Sequence, residues 1–347
     1  MNLSFGPCAM VRLCLVLIIL VLASCDSQET KIQRFLLKGN LALDGSDEDR
    51  ALYYYQQALA LDPCYADALN NIGTLYYRQG DKAKAMENYS RALECRPDFL
   101  NALLNRANTA IDLKEYFTAG SDLDRAIRQK PDTAVAYFAR GIVHTRLREY
   151  DRAIAAFEKA IALDSSNVEF HVNHATVKYY RKDFAGAMQE LVAASRVDAN
   201  EPNIYNMQAL IAADEGRISD AVTLIEVALQ INPQDAYFLN NRGFIRLLQN
   251  QLPEAEADID QSMFIDPYNG WAYRNKGILY LLKKDYSSAE RLLRKAMEID
   301  PYIDRVHFYL GAACWEGGKK TEACDYLREA EKRGEGSLTT DQIKACR

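Results

Sequence analysis

Prolines recur along this chain at one fixed interval. Pro63, Pro97 and Pro131 stand 34 residues apart, and so do Pro233, Pro267 and Pro301. The positions between them, Ser165 and Ala199, keep the same register, with no insertion or deletion between residues 32 and 303. A period of this length marks an array of stacked supersecondary units rather than a single globular core. With the proline numbered as position 32, the periods begin at residues 32, 66, 100, 134, 168, 202, 236, 270 and 304.

Within each period the side chains follow a steric rule. Position 8 is Gly or Ala throughout, from Gly39 and Gly73 to Ala107, Ala175 and Gly311. Position 20 is Ala in all nine periods, and position 27 is Ala in eight, with Ser262 the exception. Position 24 is always large, as in Tyr55, Tyr89, Phe157 and Leu327. Each period holds two helices of roughly 13 residues and two turns at about 1.5 Å rise per residue. The small positions let the two backbones approach. The large position 24, with apolar position 28 (Leu59, Leu93, Ile127, Ile161), is expected to fill the space between neighbouring units. Proline cannot continue a helix, so it closes the second one. In the fifth period it is replaced by Pro202 three residues later, where a proline opens the next helix without loss.

This pattern resembles the tetratricopeptide repeat family over residues 32 to about 333. The resemblance implies an all-α chain, a right-handed superhelical solenoid of nine helix-turn-helix units over residues 32–337. Two features depart from it: His171 and His307 at position 4, and a fifth unit that lacks its proline and carries Lys178 at position 11. Thr339-Thr340-Asp341-Gln342 has capping-box spacing, so residues 338–347 are expected to form a C-terminal cap.

The resemblance also implies a function. Such repeats bind other proteins, and positions 2, 5, 6, 9, 12 and 13 of the first helices line the concave face. Position 6 is Asn in five units: Asn71, Asn105, Asn173, Asn241 and Asn275. An amide offers both a donor and an acceptor to an extended peptide, and an equal reading has these side chains bond a neighbouring turn instead. Aromatics and Arg, which dominate interface hot spots, gather inward in the last units as Tyr237, Phe244, Trp271, Arg274, Arg305 and Trp315. They are expected to form the main partner groove, the alternative being rings packed between adjacent first helices. A chaperone carboxylate clamp is not expected, because Leu36 and Asn101 stand where it needs basic residues.

The N-terminus reads separately from the repeats. Leu13 to Ala23 is an apolar run behind Arg12, shorter than the roughly 18 residues of a membrane span. Leu22-Ala23-Ser24-Cys25 resembles the lipobox of bacterial lipoproteins. That resemblance implies a signal peptide over 1–24 that is removed, a lipidated (palmitate-bearing) Cys25 and a tether over 25–31. It places the chain at a bacterial cell envelope, membrane-anchored, with the leaflet open. Translation from Met10 would give a tidier signal than from Met1.

A net charge of −6 argues against general phosphate-backbone binding, so no nucleic-acid partner is expected. The chain has no Gly-rich phosphate loop, nucleophile elbow or paired-acid motif, and neither catalysis, a cofactor nor a small-molecule substrate is expected. His171 and His174, three residues apart, lack the third and fourth ligands of a zinc site, so no metal is expected. Cys64, Cys95, Cys314, Cys324 and Cys346 are odd in number, so at least one is unpaired within a monomer. Two arrangements stay open: bridges joining Cys64 to Cys95 and Cys346 to Cys314 or Cys324, or buried free thiols. The function expected is a lipid-anchored scaffold that binds envelope proteins. The alternatives are a metal- or redox-responsive protein using His171, His174 or the C-terminal cysteines, and a groove-based enzyme.

Overall fold

The computed structural model describes residues 27–337 and 339–346. The signal peptide expected over residues 1–24, and Cys25, lie outside the described residues. Among those described, every regular element is an α-helix, and the helices come in pairs. The first compact half, ending at Ser165, holds α1 (Gln28–Asp44), α2 (Glu48–Leu61), α3 (Ala66–Arg78), α4 (Lys82–Cys95), α5 (Leu100–Asp112), α6 (Tyr116–Gln129), α7 (Ala134–Arg146) and α8 (Tyr150–Leu163). The second half, from Ser166, holds α9 (Val168–Tyr180), α10 (Phe184–Val197), α11 (Pro202–Asp214), α12 (Ile218–Ile231), α13 (Ala236–Leu248), α14 (Leu252–Ile265), α15 (Gly270–Leu282), α16 (Tyr286–Ile299), α17 (Val306–Glu316), α18 (Lys320–Lys332) and α19 (Thr340–Ala345). Within each half the two helices of a repeat pack on each other and on the next repeat.

Two boundaries differ from the register. The first helix begins at Gln28, capped by the Ser27 hydroxyl on the Thr30 N–H, so residues 28–31 are helical rather than tether. The ninth repeat opens late, at Val306, behind Arg305 in left-handed conformation. The last helix carries the full capping box between Thr339 and Gln342.

The steric rule acts inside each repeat. Position 24 stands over position 8 of its own helix pair, not chiefly between neighbours. A Cβ on Gly39 would come within 2.3 Å of the Tyr55 ring, and one on Gly141 within 2.5 Å of the Phe157 ring. Both rings are fully buried. Glycine is thus required where an aromatic ring lies against the backbone, while Ala107 suffices opposite Leu123.

The turns show two further rules. Position 15, between the helices of a pair, has positive φ in all nine repeats: Ser46, Gly80, Lys114, Arg148, Lys182, Gly216, Asn250, Lys284 and Gly318. It ends the first helix by a left-handed cap, and only three of the nine are the glycine that favours it. At the end of the second helix, Asp62, Asp198, Asp266 and Asp300 each accept the backbone N–H two residues on. At Asp62, Asp266 and Asp300 these Asx turns explain the Asp ahead of the proline.

Two disulfides tie the ends of helices together. Cys64–Cys95 joins the turn after α2 to the end of α4, and Cys324–Cys346 ties α18 to the residue after α19. Among the described residues Cys314 is the free thiol, buried in the ninth repeat. The bridged arrangement therefore holds, with Cys324 rather than Cys314 as the partner of Cys346.

Candidate functional site

The asparagines of the first helices form hydrogen-bonded relays from repeat to repeat. In the second half, Arg274 donates through Nε and Nη2 to Asn275 Oδ1 at 3.0 and 2.8 Å. Asn275 Nδ2 donates to Asn240 Oδ1 at 2.8 Å, Asn240 to Asn241 Oδ1 at 3.3 Å, and Asn241 to Asn206 Oδ1 at 2.8 Å. The relay runs from the eighth repeat to the sixth. In the first half, Asn105 donates to Asn70 Oδ1 and Asn71 to Asn40 Oδ1, each at 3.0 Å. Asn173 is different, donating to the Glu169 carbonyl of its own helix at 2.9 Å.

Four of the five position-6 asparagines thus give an amide N–H to the preceding repeat. Their acceptors are Asn70, Asn206 and Asn240 at position 5 and Asn40 at position 9, and the three at position 5 were not singled out from the sequence. The adjacent Asn-Asn pairs at 70–71 and 240–241 were the available signal.

Arg274 lies at the centre of the aromatic set. Its guanidinium carbon is 5.0 Å from the Trp271 ring, 5.1 Å from Phe244 and 5.9 Å from Tyr309. Nη1 donates to the Asp304 carbonyl at 3.0 Å, which pins the late start of α17. No carboxylate forms an ion pair with it among the described residues. Burial pulls its pKa below the usual arginine value, with the Tyr309 and Asp304 charges opposing. Arg274 and Asn275 are 5 % and 1 % exposed, so they sit beneath the inward surface rather than on it. A buried guanidinium needs this many acceptors and ring faces to replace its water.

Around this centre the inward face of the second half converges. Burial raises the Tyr179 phenol far above its usual value, and the charges of Asp214 and Asp304 add to the rise. Arg305 is lowered by burial but raised overall by Tyr309, Asp304 and Asp214. Residues of the fifth, sixth and ninth repeats therefore share one electrostatic space. Tyr237 is exposed at its position in the seventh repeat, Phe244 and Trp271 are half-buried, and Trp315 is half-buried with Lys320 Nζ at 5.3 Å from its ring.

The histidines are tied to carboxylates. Glu190 lies 3.1 Å from His171 Nδ1, 3.4 Å from His174 Nδ1 and 3.0 Å from Lys178 Nζ. Among the described residues, the group of His, Cys, Asp and Glu close enough to hold a metal is Glu290, Cys314 and Glu322. Arg294 bonds both carboxylates and Lys319 bonds Glu290. Burial, with Glu290 and Glu322 adding, pushes the Cys314 thiol up to about 11, which keeps it protonated at neutral pH. No helix among the described residues is long and apolar enough to cross a membrane.

Comparison with known families and structures fits this geometry. Two tetratricopeptide repeat models match, one over residues 66–99 and 134–167 and the other over residues 172–236, 206–270 and 276–337. A further TPR repeat model matches residues 39–80. A search of curated proteins gives no match. Among solved structures the chain is similar to the APC/C hetero-tetramer Cut9-Hcn1, at 16% identity and a TM-score of 0.59, over 84% of this chain and 57% of that one. It spans little more than half of that chain. It is also similar to a monomeric mutant of IFIT1 with Gppp-AAAA, at 15% identity and a TM-score of 0.59, over 90% of this chain and 80% of that one. These likenesses bear on fold alone. The repeat matches, the nine helix pairs and the glycine-under-ring packing agree: this chain belongs to the tetratricopeptide repeat family, whose arrays are scaffolds for protein–protein interaction.

Proposed function

We propose that this chain is a lipid-anchored adaptor of a bacterial cell envelope, holding segments of other envelope proteins on the inward face of its second half. The observation that carries the reading is the gathering of the Trp271, Phe244 and Tyr309 rings around the Arg274 guanidinium, with the charges of Asp304, Asp214 and Arg305 acting on neighbouring phenols. A face that mixes aromatic surface with both charge signs suits a peptide or helix edge. Arg274 and Asn275 set its shape from beneath. Tyr237, Asn241, Phe244, Trp271, Arg305 and Trp315 are the residues offered to a partner. Asn71, Asn105 and Asn173 are a weaker extension of the same reading. Two disulfides suit an oxidising compartment outside the cytoplasm, in keeping with the lipobox at Leu22–Cys25.

The test is a photo-crosslinking residue placed at Tyr237 in intact cells, with mass spectrometry of what is caught and Phe117 as the control position. The expected result is a discrete protein adduct at 237, absent at 117 and reduced by Arg305→Ala. Identical adducts at the two positions would remove the groove. Labelled palmitate lost in Cys25→Ala checks the anchor on its own, and an unlabelled wild type would remove it.

A further inference from the structure

The two ends of the array are finished differently. The C-terminal end is covered by α19, tied down by the Cys324–Cys346 disulfide. No helix precedes α1 among the described residues, and α1 keeps the chemistry of an interior helix. Position 10 is buried in every later repeat, Leu75, Val143, Ile211, Leu279 and Ala313 among them, none exposing more than 3 %. In the first repeat this position is Leu41, 60 % exposed, and one turn earlier Leu37 is 58 % exposed. Arrays of this kind need a polar outer face at an open end; this one presents leucines.

The leucines belong to a stripe. Thr30, Arg34, Leu37 and Leu41 follow the 4-3-4 spacing of one helix face, opposite the buried Ile32 and Gly39. Lys31 and Lys38, seven residues apart, run along one flank. Glu29, the acid in the first turn, already accepts a hydrogen bond from Gln33 at 2.9 Å. A leucine pair flanked by lysines suits the boundary between anionic headgroups and acyl chains.

The position of this face in the chain selects the occupant. Ser27 caps α1, so only Asp26 separates Cys25 from the helix cap, a reach of about 7 Å at full extension. A lipid on Cys25 would hold the start of α1 at the bilayer. Leu41 lies about 20 Å further along at 1.5 Å per residue, so it reaches lipid only if the helix lies flat. We infer that α1 lies along the membrane with Leu37 and Leu41 in the headgroup boundary and Lys31 and Lys38 meeting anionic lipid, so that the bilayer acts as an N-terminal cap. This inference rests on the proposed lipid anchor. It makes the first repeat a second membrane contact that fixes how the array is held.

The test uses the full-length lipidated protein in phosphatidylcholine vesicles with or without phosphatidylglycerol, plus a lipid-borne quencher. A fluorophore is attached at Leu37→Cys, at Leu41→Cys or, as control, at Phe117→Cys, a site 91 % exposed on α6. Quenching is expected at 37 and 41 and not at 117. It should be stronger with phosphatidylglycerol and fall several-fold when Lys31→Glu and Lys38→Glu are combined. Vesicle-bound protein whose labels at 37 and 41 report water would overturn the inference and leave the anchor standing. Protein that never associates with vesicles would overturn both. Labels shielded equally in detergent, with a dimer in ultracentrifugation that Leu37→Lys abolishes, would assign the face to a second copy and overturn the membrane contact.

Discussion

Asn275 Nδ2 donates to Asn240 Oδ1 at 2.8 Å, joining the eighth repeat to the seventh with both side chains 1 % exposed. The bond is the central link of the relay from Arg274 to Asn206. Replacing Asn240 by Ala leaves the buried Asn275 amide only a long 3.5 Å bond to the residue-240 carbonyl and also removes the donor to Asn241. A buried donor left so weakly paired costs about 1–3 kcal/mol. Asn240→Ala should lower the urea midpoint accordingly, while Asn173→Ala, whose amide bonds only its own helix, should cost much less. Equal losses for the two would remove the relay from any role in stability.

Gly141 beneath Phe157 offers a test by exchange. Gly141→Ala forces a methyl into a buried ring, and overpacking of this kind costs about 1–3 kcal/mol. The third repeat pairs Ala107 with Leu123 instead. Combining Gly141→Ala with Phe157→Leu should therefore recover part of the loss in a double-mutant cycle. Strictly additive losses would show that the ring and the glycine are not coupled.

Lys114 holds a φ of 63° that its side chain disfavours. Left-handed backbone costs a non-glycine residue about 1–2 kcal/mol, partly offset by the unfolded-state entropy that glycine adds. Lys114→Gly is expected to raise thermal stability by about 0.5–1 kcal/mol, and Lys114→Val to lower it. A destabilising glycine would mean that the lysine makes a compensating contact.

Glu190 sets an acid limit on the fifth repeat. Burial pushes its carboxyl up, but hydrogen bonds from His174, Lys178 and His171 outweigh this and hold it well below the ordinary value of 4.5. A carboxylate with a depressed folded pKa contributes stability that is present above its unfolded pKa. That stability is lost as pH falls through the folded value. Unfolding free energy should therefore drop between pH 4.5 and lower pH, and Glu190→Gln should be less stable at neutral pH with a shallower acid limb. Parallel pH profiles for the two proteins would contradict this.

Most of the fold was legible because it is periodic. The 34-residue register, the invariant Ala at position 20 and the small position 8 locate the helix pairs without any knowledge of distant contacts. The candidate groove was legible only as a set of inward positions. That Arg274 and Asn275 lie beneath its surface depends on the ring of Tyr309 and the carbonyl of Asp304, thirty residues or more away in the chain. The direction of the asparagine relay depends on position 5 of the preceding repeat, which carries no signal unless the two helices are known to touch.

The sequence alone determined the repeat length, the number of helix pairs and the small residues at their contact, since each is enforced locally and nine times over. The tertiary structure decided three further things. It put the left-handed turn on three lysines and an arginine, whose local preference opposes it. It chose Cys324 over Cys314 for Cys346, because a bridge depends on where the last helix lies. It left Leu37 and Leu41 uncovered on the first helix. The same side-chain pattern is core where a preceding repeat packs on it and surface where none does, because burial is a property of neighbours and not of residues.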